Sequence, residues 1–306
     1  MILPKQLRQE LEEKRNTLVH LIHNERHQLA PKDRAIIKKY NQIKTMQEKE
    51  ARVHAARGEV PVSELHYRPH AVDKSRFRKV LSGIEGAWDF GLLAYNGEPN
   101  EDFLKKLAWE IDPEFFGGDT AYFRRPGTMT TVQGWGYVPP SPEQDLENQF
   151  YEYVTHNREI DALSIPEQAF MFNFHITRIQ PFPDCNKRTG KLTQNLHLNF
   201  YHYPPASVLE GESGYYYRHM IQAIRAFDRR EGQGNYSPEE RDFYEFLGTK
   251  VNNNLNAILD RSRYLPHQMR ETEQVDDNGR SDRKITRKEV LQVRRPLHTF
   301  KSNSRR

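Results

Sequence analysis

The stretch from Ser164 to Pro205 constrains this chain more than any other, because each of its structural boundaries is written in residue chemistry. Ser164-Ile165-Pro166-Glu167 opens a helix: serine caps, proline suits the first turn, and the glutamate completes a capping box. Ala169, Phe172, Ile176 and Ile179 then recur on one apolar face. Pro181 and Pro183 end that helix, and a second is expected from about Arg188 through Leu192, Leu196 and Phe200 until Pro204 and Pro205. Residues 179 to 192, IQPFPDCNKRTGKL, therefore form a short loop held between two helices.

Around this unit the chain reads as mainly α. Leu7, Leu11, Leu18, Leu21 and Ile22 have helical spacing before Pro31, and a more charged stretch through Tyr40, Ile43 and Met46 predicts the second arm of an N-terminal helical hairpin. We assign residues 1–60 to that arm and 75–260 to the main domain. Helix is also expected over about 75–110, and over two later segments. One carries Met220, Ile224 and Phe227; the other opens with a second capping box at Ser237-Pro238-Glu239-Glu240 and is lined by Phe243, Leu247, Val251 and Leu255. Between them and the first helices, Thr128 to Gln133 alternates within Gly and Pro punctuation and predicts a small β-hairpin. Residues 263–306 lose apolar periodicity and end in RRPLHTFKSNSRR, the composition of a disordered basic tail. The 29% charged content and mean hydropathy of -0.90 fit a domain with such appendages.

Bulk properties exclude several classes. A single cysteine, Cys185, rules out an internal disulfide or a Cys-rich zinc site and fits a reducing compartment. The start lacks an apolar stretch of signal-peptide length, and no run of about 20 apolar residues occurs, so the expectation is a cytoplasmic protein without a membrane span. Non-classical export as an injected effector would leave no mark readable by these rules. The net charge of +4 permits nucleic acid as a partner without arguing for it.

Read without family knowledge, PFPDCNKRTGK sets an acid, an amide and three cations around a helix start. Helix N-terminal amides and the dipole favour an anion, and Lys187, Arg188 and Lys191 add charge. Asp184 is a hard oxygen ligand suited to Mg2+ bridging phosphates. The combination suggests a nucleotide phosphate chain; a well-capped surface turn is the alternative on these residues alone.

The segment resembles the Fic/Doc (Fido) signature HPFxDGNGRxxR, with Pro181, Phe182, Asp184, Asn186 and Arg188 in register. That resemblance implies a helical bundle with a β-hairpin flap, here Thr128 to Gln133, and transfer of AMP from ATP to a Ser, Thr or Tyr hydroxyl of a target protein. It implies Mg2+ on Asp184, phosphate positioning by Asn186, and the β/γ-phosphate end for Arg188; Phe182 reads as a core anchor of the loop. The chain departs from the pattern at the base: Gln180 stands where the family has histidine, and a carboxamide cannot take a proton near neutral pH. This reads as an inactivated or repurposed site, or as a substitution introduced to trap a complex. Lys187 replaces the second glycine, giving an NKR triplet like that of Doc proteins, which transfer the γ-phosphate. Cys185 replaces a glycine, and Lys191 keeps the charge of the second arginine without its fork.

Ser82-Gly83-Ile84-Glu85-Gly86 resembles the family's inhibitory motif, which implies a pair between Glu85 and Lys191; a helix-end glutamate before a glycine stop is the rival reading. His175, the Tyr215–Tyr217 run and Trp135 are read as packing or surface residues rather than catalytic ones. Besides a weakened adenylyltransferase and a Doc-like kinase, the third reading is a non-catalytic scaffold that binds protein or nucleic acid through its arm and tail.

Overall fold

The computed structural model describes residues 1–23, 45–49, 51–52, 74–127, 136–142, 146–157, 159–208, 210–230 and 234–259. Thr128 to Gln133, Trp135, most of the hairpin's second arm and residues 263–306 lie outside the described residues. The rest belongs to one compact unit within Met1–Ser262. It is mostly helical, with no sheet among the described residues, as the Fido-type fold implies.

The longer helices are α1 (Lys5–His23), α2 (Lys74–Ala94) and α3 (Glu101–Ile111). Short turns α4 (Pro113–Phe116) and α5 (Leu146–Phe150) lead to α6 (Ile165–Ile179) and α7 (Asn186–Phe200). Helices α8 (Ser213–Arg229) and α9 (Pro238–Leu259) complete the described chain, and residues 45–49 and 51–52 are also helical. Helices α6 and α7 make the most extensive pairing, flanked by α8–α9 on one hand and α2–α3 on the other, while α1 packs on α9.

The centre of the bundle is more enclosed than periodicity indicates. Instead of one apolar face, α6 is buried all round, including Asn173, His175, Thr177 and Arg178. Gly190 lets the two central helices approach, since a Cβ there would lie 2.9 Å from Asn173 Oδ1. Both capping boxes form. Glu240 accepts from Ser237 N, and Glu167 accepts from Ser164 N at 2.8 Å. Glu167 does more: wholly buried, it also accepts from the Ile2 and Leu3 amides at 2.5 and 2.7 Å, fastening the first residues to the start of α6. Helix α2 runs through Gly83 and Gly86, so the glycine-stop reading of Glu85 is corrected: buried Ile84, Ala87 and Trp88 hold this helix on the core.

No described helix is long and apolar enough to cross a membrane.

Candidate functional site

The loop between α6 and α7 is bounded by two residues in left-handed backbone conformation, Gln180 (φ 46) and Cys185 (φ 69). Each costs about 1–2 kcal/mol relative to the right-handed region for a residue with a Cβ, and such strain persists only where the surroundings enforce it. They do so here. Arg124, 5% exposed, donates through Nε to the Gln180 carbonyl (2.5 Å) and through Nη2 to the Ile179 and Pro140 carbonyls (3.0 and 2.9 Å), while its own amide donates to the Pro181 carbonyl (2.8 Å). Tyr137, whose phenol burial pushes upward in pKa, donates to the Arg178 carbonyl at 3.1 Å. The Arg178, Ile179 and Gln180 carbonyls at the end of α6 are thus satisfied by two side chains.

Within the loop, Phe182 is fully buried against Phe123 (5.9 Å between centroids) and Phe150 (6.4 Å), the anchor its sequence position implies. Asn186, 5% exposed, accepts from the Phe182 amide (2.8 Å) and donates to the Phe182 carbonyl (2.7 Å). Both ends of its carboxamide are therefore engaged by the loop's own backbone. Its contribution to any bound phosphate is the shape of the cradle. The first amide bonded within α7 is that of Thr189, to the Cys185 carbonyl; the amides ahead of it are the N-terminal donors that align with the helix dipole.

Asp184 accepts from the Cys185 amide (2.5 Å) and from Arg188 Nη2 (3.2 Å) through one oxygen, and its side chain is 43% exposed, so it retains a solvent-facing edge. Arg188 is nearly buried beside it. Lys191, one turn on, is 5% exposed and donates to the Tyr217 hydroxyl at 2.8 Å, lying over the rings of Tyr217 and Tyr216 at 4.8 and 5.1 Å. Lys187 Nζ stands 5.9 Å from the same Tyr217 ring. Two of the loop's three cations, Lys187 and Lys191, therefore lie beside one phenol. Gln180 itself is 2% exposed at the loop's start.

Glu85 is not brought to this cluster: its side chain is exposed on α2 and forms no ion pair with Lys191, so the inhibitory pairing is absent from this structure. His175 is a packed histidine, as read from sequence, stacked on Tyr153 at 5.0 Å and accepting from Arg178 Nε; burial pushes its pKa well below the usual histidine range, which keeps it neutral. Tyr215 is half exposed, Tyr216 is buried, and Tyr217 has the polar role that sequence reading missed. Arg124 and Tyr137 were also missed. No spacing rule connects them to a loop about 50 residues away, and the Pro- and Gly-rich setting of Arg124 gave the only cue. Among the described residues no cluster of three or more His, Cys, Asp and Glu could hold a metal, so a cation on Asp184 would need oxygens from a phosphate and from water.

The pattern described as the Fic/DOC family matches residues 96–198. Proteins named protein adenylyltransferase Fic from Drosophila grimshawi and Drosophila ananassae are each 26% identical, over 57% and 54% of this chain and 32% and 29% of their own length. The chain thus spans about a third of these curated relatives. Among solved structures, Fic-1 (residues 134–508) from C. elegans superposes with a TM-score of 0.58 at 15% identity, covering 88% of this chain and 73% of that one. A Fic domain containing signaling protein from Bacteroides thetaiotaomicron gives 0.54 at 17% identity, covering 83% of this chain and 95% of that one. At these identities the superpositions speak for the fold.

Proposed function

Starting from a chain that belongs to the Fic/Doc family and has its helical fold, we propose that it binds ATP as a member of the protein adenylyltransferase class, with its transfer step weakened or lost at Gln180. The observation that carries this reading is the condition of the loop. Its strained backbone is enforced from three sides by Arg124, Phe182 and Asn186, although the position of the base holds an amide. Strain maintained at such a site is better explained by a ligand than by a surface turn.

In this reading the α7 N-terminus receives the α- and β-phosphates, with Arg188 and Lys191 supplying charge toward the terminal end. Asp184, with its exposed edge, would hold Mg2+ together with phosphate oxygens, and that ion neutralises charge on the phosphates. The acceptor is a Ser, Thr or Tyr hydroxyl of a target protein. Transfer requires that oxygen to attack the α-phosphorus, pyrophosphate to leave, and the hydroxyl proton to go to a base. Gln180 cannot take it, which costs about 10²- to 10⁴-fold in rate. Positioning and charge alone sustain what transfer remains.

A second reading, γ-phosphate transfer, is favoured by Lys187, which stands at the position of the signature's second glycine and completes the NKR triplet. Calorimetric titration of Mg-ATP into the full chain and into Asp184→Ala tests the binding claim. Saturable binding by the parent, weakened in the variant, supports it. No binding by the parent overturns it.

A further inference from the structure

Three consecutive carbonyls, those of Ile179, Gln180 and Pro181, accept from one residue. Arg124 reaches the first through Nη2 (3.0 Å), the second through Nε (2.5 Å) and the third through its backbone amide (2.8 Å). The same Nη2 extends to the Pro140 carbonyl at 2.9 Å, so the guanidinium is itself fixed between two stretches of chain. A peptide group is planar, and holding its oxygen orients the whole plane. The planes on both sides of the Gln180 Cα are therefore pinned, which sets φ and ψ there at 46 and 65 and, with them, the direction of Cβ.

Ending the helix does not require this. The Gln180 amide closes α6 on the Ile176 carbonyl at 3.0 Å, a bond that a glycine makes with no steric cost in the left-handed region. Here a residue with a side chain, 2% exposed, is kept in that region under restraint from both flanking peptides. The Asn186 clamp begins where Arg124 stops. It holds the Phe182 N–H and C=O at 2.8 and 2.7 Å, and that N–H belongs to the same peptide group as the Pro181 carbonyl. The two clamps thus divide the loop at one shared peptide: Arg124 governs residues 179–181, and Asn186 governs the turn toward α7.

We propose that Arg124 is a positioning residue for the transfer step: by fixing the two peptides that flank residue 180, it aims the side chain at the base position and leaves the phosphate cradle to Asn186. The chemistry rests on the preceding reading, whereas the backbone geometry does not. A base can take the acceptor's hydroxyl proton only when it points at that oxygen, and a misplacement of about 1 Å costs on the order of 10²-fold in rate. The aim is retained in this chain although the side chain it directs is an amide.

In the Gln180→His version, Arg124→Met should lower the maximal rate of labelling from ATP carrying an α-phosphate label by about 10²-fold, with KM for Mg-ATP unchanged. Arg124→Lys keeps the charge but offers one nitrogen where two are used; its rate should fall between, and it serves if the methionine variant does not fold. In the parent background, Arg124→Met should bind Mg-ATP with unchanged Kd by calorimetry. Its crystal structure should show residue 180 outside the left-handed region, with the bonds between Asn186 and Phe182 kept. Undiminished labelling, weakened Mg-ATP binding, or an unchanged conformation at residue 180 would overturn the proposal. A parent that binds no Mg-ATP, or a Gln180→His version that transfers no label, sinks the preceding reading instead; the conformation of residue 180 in the variant crystal then decides this one.

Discussion

The Asn186 clamp makes a quantitative demand on the loop. Removing its carboxamide with Asn186→Ala leaves the Phe182 N–H and C=O, both beneath a fully buried ring, without the bonds now 2.8 and 2.7 Å long. A buried polar group left unsatisfied costs about 1–3 kcal/mol, so two should cost about 2–4 kcal/mol, the lower figure applying if water reaches the carbonyl. The gain in helix propensity for alanine at this first-turn position is a few tenths of a kcal/mol and does not offset it. Asn186→Asp sharpens the test: the carboxylate still accepts from Phe182 N but faces the Phe182 carbonyl as a second acceptor, so the loss should be no smaller. Urea unfolding followed by tryptophan fluorescence reads both, as a shift in midpoint at constant slope. If Asn186→Ala unfolds within 0.5 kcal/mol of the parent, the clamp is not what holds this loop.

Three other perturbations follow from the packing. Glu167→Gln replaces one acceptor oxygen that faces either the Ile2 and Leu3 amides or Ser164 with a donor, and should destabilise by about 2–4 kcal/mol in the same assay; a neutral result would disprove the fastening of the first residues to α6. Gly83→Ala would place a Cβ 2.0 Å from the Ile111 carbonyl oxygen, forcing α2 and α3 apart at about 1–3 kcal/mol, whereas Gly86→Ala meets nothing within 4 Å and should be neutral or slightly stabilising; equal effects would contradict this geometry. Burial holds His175 well below its ordinary pKa of 6.5 and pushes His197 down to about 3, so both are neutral when folded and take protons when unfolded. Stability is then undiminished above about pH 6.5 and falls as the pH drops through it, by about 2–3 kcal/mol between pH 7.5 and 5.5; a flat profile over that range would refute the assignment.

What the sequence revealed of this molecule tracks the range of the interactions. Local chemistry was legible: both capping boxes, the proline stops, the Phe182 anchor and the membership of the loop follow from residues within a few positions of one another. The supports of the loop were not, because Arg124, Tyr137 and Tyr217 reach it across 56, 41 and 26 positions. Burial is a second property that local patterns did not convey: the charged and amide residues at 178, 191, 194 and 195 each find partners inside the bundle. The placement of Glu85 away from Lys191 has a related reason: a motif match fixes residue types, whereas the face of α2 that turns inward is set by Ile84, Ala87 and Trp88.

The central claim is an intact phosphate site lacking its base. Incubating the full chain with ATP labelled at the α-phosphate, beside its Gln180→His version, tests it most directly. The account predicts label on protein after the reversion at a rate about 10²- to 10⁴-fold above the parent. Equal labelling by the two forms, or none by either, would contradict it.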